Sequence, residues 1–416
     1  VFLFPPADLY DWRRRWYDEG ILFFGEAMKT NLVRVTAIAF LCLFILGLVD
    51  NLKGAALPAV LADLRFSDAQ GGTILLWAYL GFLAASLFVG VLSDVAGNRA
   101  VVVVAAGCLL VGMLGFSLAR QFGLLAASMA ALGVGLGGTD MAGNLIIVAY
   151  YAQNKGRTLN LMAFFHGLSS TIAPYYVGLL LAAGISWRQV YQYPLAAVAV
   201  LLLLGLAAPF PRPQVVSKSG VDFRSIGKVI AQPGMGWYFV IMILYVAAEI
   251  GVASWLPAYL QRVHGMSVTL SAALLSLYFA GLMAGRLLGS LFVERLGYLR
   301  SILLAAVGAL ICLAVGIFGP GYSFWLLPVT GLFFSIIFPT LTASASDRVT
   351  GSMGTVIGLL FAFCGVGGAL GPWLIGTVST WVDLRVGFMV NLATCAGTAA
   401  AAYMLVRLPA RPRQES

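Results

Sequence analysis

"DNLKGAALPAVL", residues 50–61, and "EIGVASWLPAYL", residues 249–260, align without a gap, and this match decides how the 416-residue chain is read. It sets Asp50 on Glu249, Leu57 on Leu256 and Pro58 on Pro257. Two further stretches match at nearly the same offset. "YLGFLAASLFVGVLSDVAGNR" from Tyr79 falls on "FAGLMAGRLLGSLFVERLGYL" from Phe279, pairing Gly81 with Gly281, Asp94 with Glu294 and Gly97 with Gly297. Phe165, Gly167 and Pro174 likewise fall on Phe363, Gly365 and Pro372. The chain therefore reads as two copies of one ancestral unit.

Composition says what medium the unit lives in. Hydrophobic residues make up 61% of the chain and charged residues 10%, against about 25% charged in a soluble domain. Apolar runs of about 20 residues, enough to cross a bilayer as a helix, recur throughout. Twelve are placed at 32–62, 69–95, 100–119, 122–150, 158–184, 187–209, 235–262, 267–294, 298–318, 322–344, 352–379 and 384–408. The runs are long and apolar all round, unlike the short alternating strands of a membrane barrel. The expected fold is an all-α polytopic membrane protein with two pseudo-symmetric six-helix bundles, 28–208 and 235–408. A Pro-rich, polar, basic linker at 209–234 joins them, and a short tail follows at 409–416. Residues 1–27 read either as an amphipathic helix in the headgroup region, with Arg13 to Arg15 toward lipid phosphates, or as sequence ahead of a start at Met28. No cleavable signal is expected there.

With the N-terminus inside, the cytoplasmic segments collect most of the 25 Lys and Arg residues. The outer loops hold only Arg65, Arg120, Arg188, Arg262 and Arg385, while Lys53 and Arg286 lie within spans. Both termini are thus expected in the cytoplasm of an inner-membrane protein. The same bias, with anionic lipid as partner, accounts for the net charge of +9 without any nucleic acid. The five cysteines are scattered within spans and read as packing residues; no metal site or organic cofactor is expected. "GVGLGG", residues 133–138, lies inside a span and reads as close helix packing.

The stretch "GVLSDVAGNR", with Gly90, Leu92, Asp94, Gly97 and Arg99, resembles the loop between the second and third helices of the major facilitator superfamily. Val95 and Asn98 stand where that loop usually has basic residues. "SLFVERLGYLR" repeats the pattern with Glu294, Arg295 and Gly297. Physically it suits a cytoplasmic latch, an acid closing a helix and a glycine making the turn. Within the superfamily, "GTDMAGN", "GRTLNLMAFFHG" and "YVAAEIGVASWL" resemble the fucose permease and related sugar:proton symporters. The resemblance implies a secondary transporter, not an enzyme, moving a small polar solute such as a sugar by proton-coupled alternating access. A proton-driven exporter of amphipathic compounds or lipids, or a non-transporting sensor, stays open beside it. A monomer is expected, and sodium is the alternative to the proton.

An ionisable side chain at the centre of a span costs roughly 2.5–3.5 kcal/mol, so each one invites a role. Asp140, with Asn144 one turn on, is the first candidate for proton coupling, and the resemblance places the permease's fourth-helix acid there. Asp50 is the second. Asp50 and Lys53 share a helix face, either as a neutralised pair or as a switch in which Lys53 also reaches Asp140. Glu249 and Tyr245 suit a sugar site, where hydrogen bonds and apolar ring faces are both needed. Asn160 and His166 join them as candidate binding residues. Arg286 is expected about nine residues before the end of its span, too deep to snorkel, and so to need Glu249 or an anionic solute as partner. Trp255 and Tyr259 are expected in the outer aromatic belt, with capping of the cavity as the alternative for Trp255.

Overall fold

The computed structural model describes residues 26–151, 155–208, 210, 227, 229–289, 291–348 and 353–407. The expected N-terminal segment 1–27 lies outside the described residues but for 26 and 27, as do most of the linker 209–234 and the whole tail 409–416. In chain order the N half comprises α1 (Glu26–Asp50), α2 (Leu52–Leu64), α3 (Asp68–Leu118), α4 (Phe122–Tyr150), α5 (Lys155–Ala182), α6 (Trp187–Gln192) and α7 (Leu195–Ala207). The C half comprises α8 (Met235–His264), α9 (Val268–Gly289), α10 (Val293–Leu296), α11 (Tyr298–Phe318), α12 (Leu326–Phe334), α13 (Ile337–Arg348), α14 (Met353–Trp381) and α15 (Leu384–Arg407).

Ten helical stretches among the described residues are long and apolar enough to cross a membrane. One of them, α3, has 51 residues and turns at Gly97 (φ 80°, ψ 167°), so it supplies two crossings. The less apolar α5, at 28 residues, is also long enough at 1.5 Å per residue. The total is the twelve crossings expected.

The repeat is visible in the backbone. Gly297 adopts φ 82° and ψ 145° between α10 and α11, the counterpart of the Gly97 turn. Pro58 and Pro257 sit inside α2 and α8, Pro174 and Pro372 inside α5 and α14. Ser67 and Ser186 open α3 and α6 with capping boxes to Gln70 and Gln189, satisfying amides that would otherwise be orphaned. The glycine run in α4 packs helices closely: a methyl on Gly133 would lie 1.9 Å from the Ala78 carbonyl oxygen, and one on Gly135 would strike Leu109.

One difference between the halves matters for the site. The first span is broken at Asn51, between α1 and α2 (φ −92°, ψ 3°), and the Asn51 side chain turns back to donate to the Gly47 carbonyl at 2.8 Å. Its counterpart α8 runs unbroken past Glu249 for 30 residues.

The halves meet along one side only. Arg262 pairs with Asp68 at 2.7 Å, and the Ala69 amide donates to the Thr380 hydroxyl at 2.7 Å. Deeper, the Tyr175 amide donates to the Ser276 hydroxyl at 3.0 Å, and Gly54 abuts the Ala253 carbonyl so closely that a methyl would lie 2.1 Å from it. Contact thins out at mid-span, at Gly365 on Leu83 and Gly167 on Met283. Beyond that depth, toward the ends bearing Asp94 and Glu294, Phe164, Leu287, Leu291 and Phe361 are exposed. The halves splay into a V that opens on the latch face and is shut on the opposite face.

Candidate functional site

At the apex of the V lies a cavity of about 420 Å³, a volume within the range of small-ligand sites. Both halves build it. The broken first span gives Asp50, Asn51, Lys53 and Gly54, and α5 gives Asn160, Phe164, His166 and Ser170. From the C half, α8 contributes Glu249 and Ser254, and α9 contributes Tyr278, Leu282 and Arg286. The spacing of four between the last three puts them on one helix face.

The electrostatics follow from the break at Asn51. Asp50 ends one helix, where backbone carbonyls repel an acid, and Lys53 begins the next, where amides repel a cation. Their mutual pairing at 2.5 Å offsets both penalties. Lys53 is only 5% exposed and also lies over the Tyr79 ring, 4.6 Å from its centroid. In this conformation Lys53 pairs with Asp50 and not with Asp140.

The expected residues divide into two sets. Asp50, Lys53, Asn160, His166, Glu249 and Arg286 line the cavity together. Asp140, Asn144 and Tyr245 do not. Asp140 accepts a hydrogen bond from Asn144 at 3.2 Å and stands close enough to Asp50 for their charges to interact. Tyr245 is buried against Phe334, and its hydroxyl faces the Glu249 carboxylate from behind. The expectation that Tyr245 would stack on a solute gives way to a supporting contact, because α12 covers its ring. Tyr278 holds the same acid's backbone, donating to the Glu249 carbonyl at 3.0 Å.

α9 ends at Gly289, five residues before the end of the expected span, so Arg286 falls in its last turn, at an end whose carbonyls favour a cation, and it still lines the central cavity. It forms no ion pair with Glu249; the ion pairs found among the described residues are Asp50–Lys53, Asp63–Arg188 and Asp68–Arg262. At the latch face Asp94, Glu294 and Arg295 are exposed and form no ion pair among the described residues, and Arg99 donates to the Leu206 carbonyl of its own half. Gly90, by contrast with Gly97, lies in open helix with nothing near it. Trp255 and Tyr259 are not in an aromatic belt: both are fully buried, Trp255 donating to the Pro372 carbonyl at 3.0 Å and Tyr259 stacked on Phe388 at 4.3 Å. In helices apolar on every side, sequence offers no period to separate core from interface.

Sequence reasoning missed Tyr79 and Tyr278. The signal was present in the repeat, where Tyr79 heads one aligned stretch and Phe279, another lining residue, heads the other.

A twelve-helix bundle of two repeats closing on a charged central cavity defines a secondary transporter. The sequence model of the Major Facilitator Superfamily matches residues 39–372, and the chain belongs to that family. A putative glucose/galactose transporter of Helicobacter pylori is 25% identical over 367 residues, covering 81% of this chain and 86% of the relative. A cis,cis-muconate transport protein of Acinetobacter baylyi is 24% identical over 375 residues, covering 85% and 90%. Among solved structures, a D-xylose–proton symporter superposes with a TM-score of 0.73 at 14% identity, covering 90% of this chain and 97% of that one.

Proposed function

We propose that the protein moves a small polar solute, a sugar in the first instance, by proton-coupled alternating access. The observation that carries this reading is the cavity at the apex of the V. Aromatic and aliphatic walls suit ring faces, while Asp50, Glu249, Asn160 and His166 offer acceptors and donors for hydroxyls. Four charged side chains in so small a space disfavour an exporter of amphipathic compounds. The names of the relatives span a hexose and a dicarboxylate, so the solute's class must be sought in this chain's own residues.

In this reading Asp140 takes up the coupling proton and Asp50 senses it. Their charges interact, so neutralising one changes the field on the other and on Lys53. The latch residues Asp94 and Glu294 engage in the other state, when the halves close on their side. The distribution of basic residues supports a cytoplasmic position for that side, in an inner membrane, and the reading takes a single chain as the working unit.

The test is sugar uptake into proteoliposomes under an imposed pH gradient. Asp140→Asn should lower gradient-driven uptake about tenfold or more, equivalent to about 1.4 kcal/mol of coupling, while leaving exchange of internal for external sugar. Undiminished uptake by the variant would sink the assignment.

A further inference from the structure

We infer that the solute is an acidic one, a polyhydroxylated monocarboxylate such as a sugar acid, and that Arg286 is the residue that receives its carboxylate. This rests on the sugar reading above and narrows it.

The inference comes from counting charges around the cavity. The first span contributes Asp50 and Lys53, which cancel each other at 2.5 Å. The second contributes Tyr79, α5 His166, α8 Glu249 and α9 Tyr278 and Arg286. Tyr245 and Cys364 approach Glu249 from behind without lining the cavity, and Asp140 of α4 stands near Asp50, also outside the lining. Arg286 is the cation left over. Its guanidinium has neither ion pair nor hydrogen bond among the described residues, although it lies within the field of Glu249 and of His166. A planar fork of donors facing a small-ligand cavity matches a carboxylate, which it can bind through two parallel hydrogen bonds. Arg286 is exposed to the opening of the V, and a neutral hexose would leave its fork to solvent.

Glu249, on the neighbouring helix, complements this arrangement. An acid cannot accept a second carboxylate, but it accepts hydroxyl hydrogens well. Tyr245 and Tyr278 hold it in place by side chain and backbone respectively. The cavity is therefore two-ended, with a cation for the acid end of the solute and an acid for its hydroxyls.

The charge count also constrains coupling. One proton, held on Asp140 in the reading above, is carried with each solute. A monoanion carried with it moves no net charge across the membrane. A neutral sugar carried with it moves one positive charge. The acidic solute makes transport electroneutral; the neutral one makes it electrogenic.

The experiment uses the full chain in proteoliposomes with D-galacturonate, D-galactose and cyclohexanecarboxylate as probes. Galacturonate should be taken up with an apparent affinity at least about tenfold better than galactose. Its uptake should respond to a pH gradient and ignore a potassium-diffusion potential. Arg286→Gln should erase the preference, and Arg286→Lys should restore part of it. Should Arg286→Gln fail to fold, the potential measurement on the unaltered chain still decides. Galactose preferred over galacturonate, or uptake that rises with an inside-negative potential, overturns the inference and leaves the sugar reading intact. Cyclohexanecarboxylate competing as well as galacturonate, and losing that ability in Arg286→Gln, upholds the arginine and overturns the sugar. Uptake of none of the three overturns both.

Discussion

At the residue scale the Asp50–Lys53 pair is the costliest feature of the cavity. Lys53 is almost fully buried, and each charge sits at the wrong end of a helix dipole. Removing one partner leaves the other uncompensated, a loss of roughly 3–5 kcal/mol in such settings. Asp50→Asn and Lys53→Gln should each lower thermal stability in detergent by more than Asp50→Asn/Lys53→Gln together. Strictly additive losses would mean that the pair is no pair. Much of this site was legible in the sequence, because an acid or a cation inside an apolar run stands out against its neighbours. What could not be read was which of them meet. Asp140 and Tyr245 have the chemistry of a binding site and its helical spacing, yet one stands with Asn144 outside the cavity and the other lies behind Glu249. Spacing along one helix says nothing about the helix that covers it.

At the scale of elements, the turns at Gly97 and Gly297 were the most readable part of the fold. Each follows an acid by three residues, and the second confirmed the first through the repeat. Their backbones, with φ near 80° and ψ 167° and 145°, belong to a region that side chains enter at about 1–3 kcal/mol each. Gly97→Ala should lower the unfolding temperature measurably. Gly90→Ala, where an added methyl meets nothing within 4 Å, should leave it unchanged or raise it slightly. Equal effects at the two positions would show that the Gly97 turn carries no strain. Helix ends were less readable: α9 stops at Gly289, short of the apolar run that contains it.

At the scale of the molecule, the V is held shut on one face by a short set of contacts between halves. Arg262 to Asp68 is the outermost of them. As a partly exposed pair it is worth up to about 1 kcal/mol, enough to change a two-state population several-fold. Arg262→Ala should lengthen distances between spin labels placed on the two halves at that face and shorten those at the latch face. Distances unmoved at both faces would show that the pair does not bias the equilibrium. Two copies of a bundle were evident from the repeat, but how they lean on each other was not. That depends on backbone approaches, such as Gly54 against Ala253, whose partners lie 199 residues apart.

The break at Asn51 gives the N half a joint that its twin lacks. The 13-residue segment beyond it carries Lys53 at its root and, one residue on, the glycine that seals against Ala253. Load and door are thus mounted on one short arm. A solute that draws on the Asp50–Lys53 pair therefore acts on the same short segment that carries the seal, one residue from it.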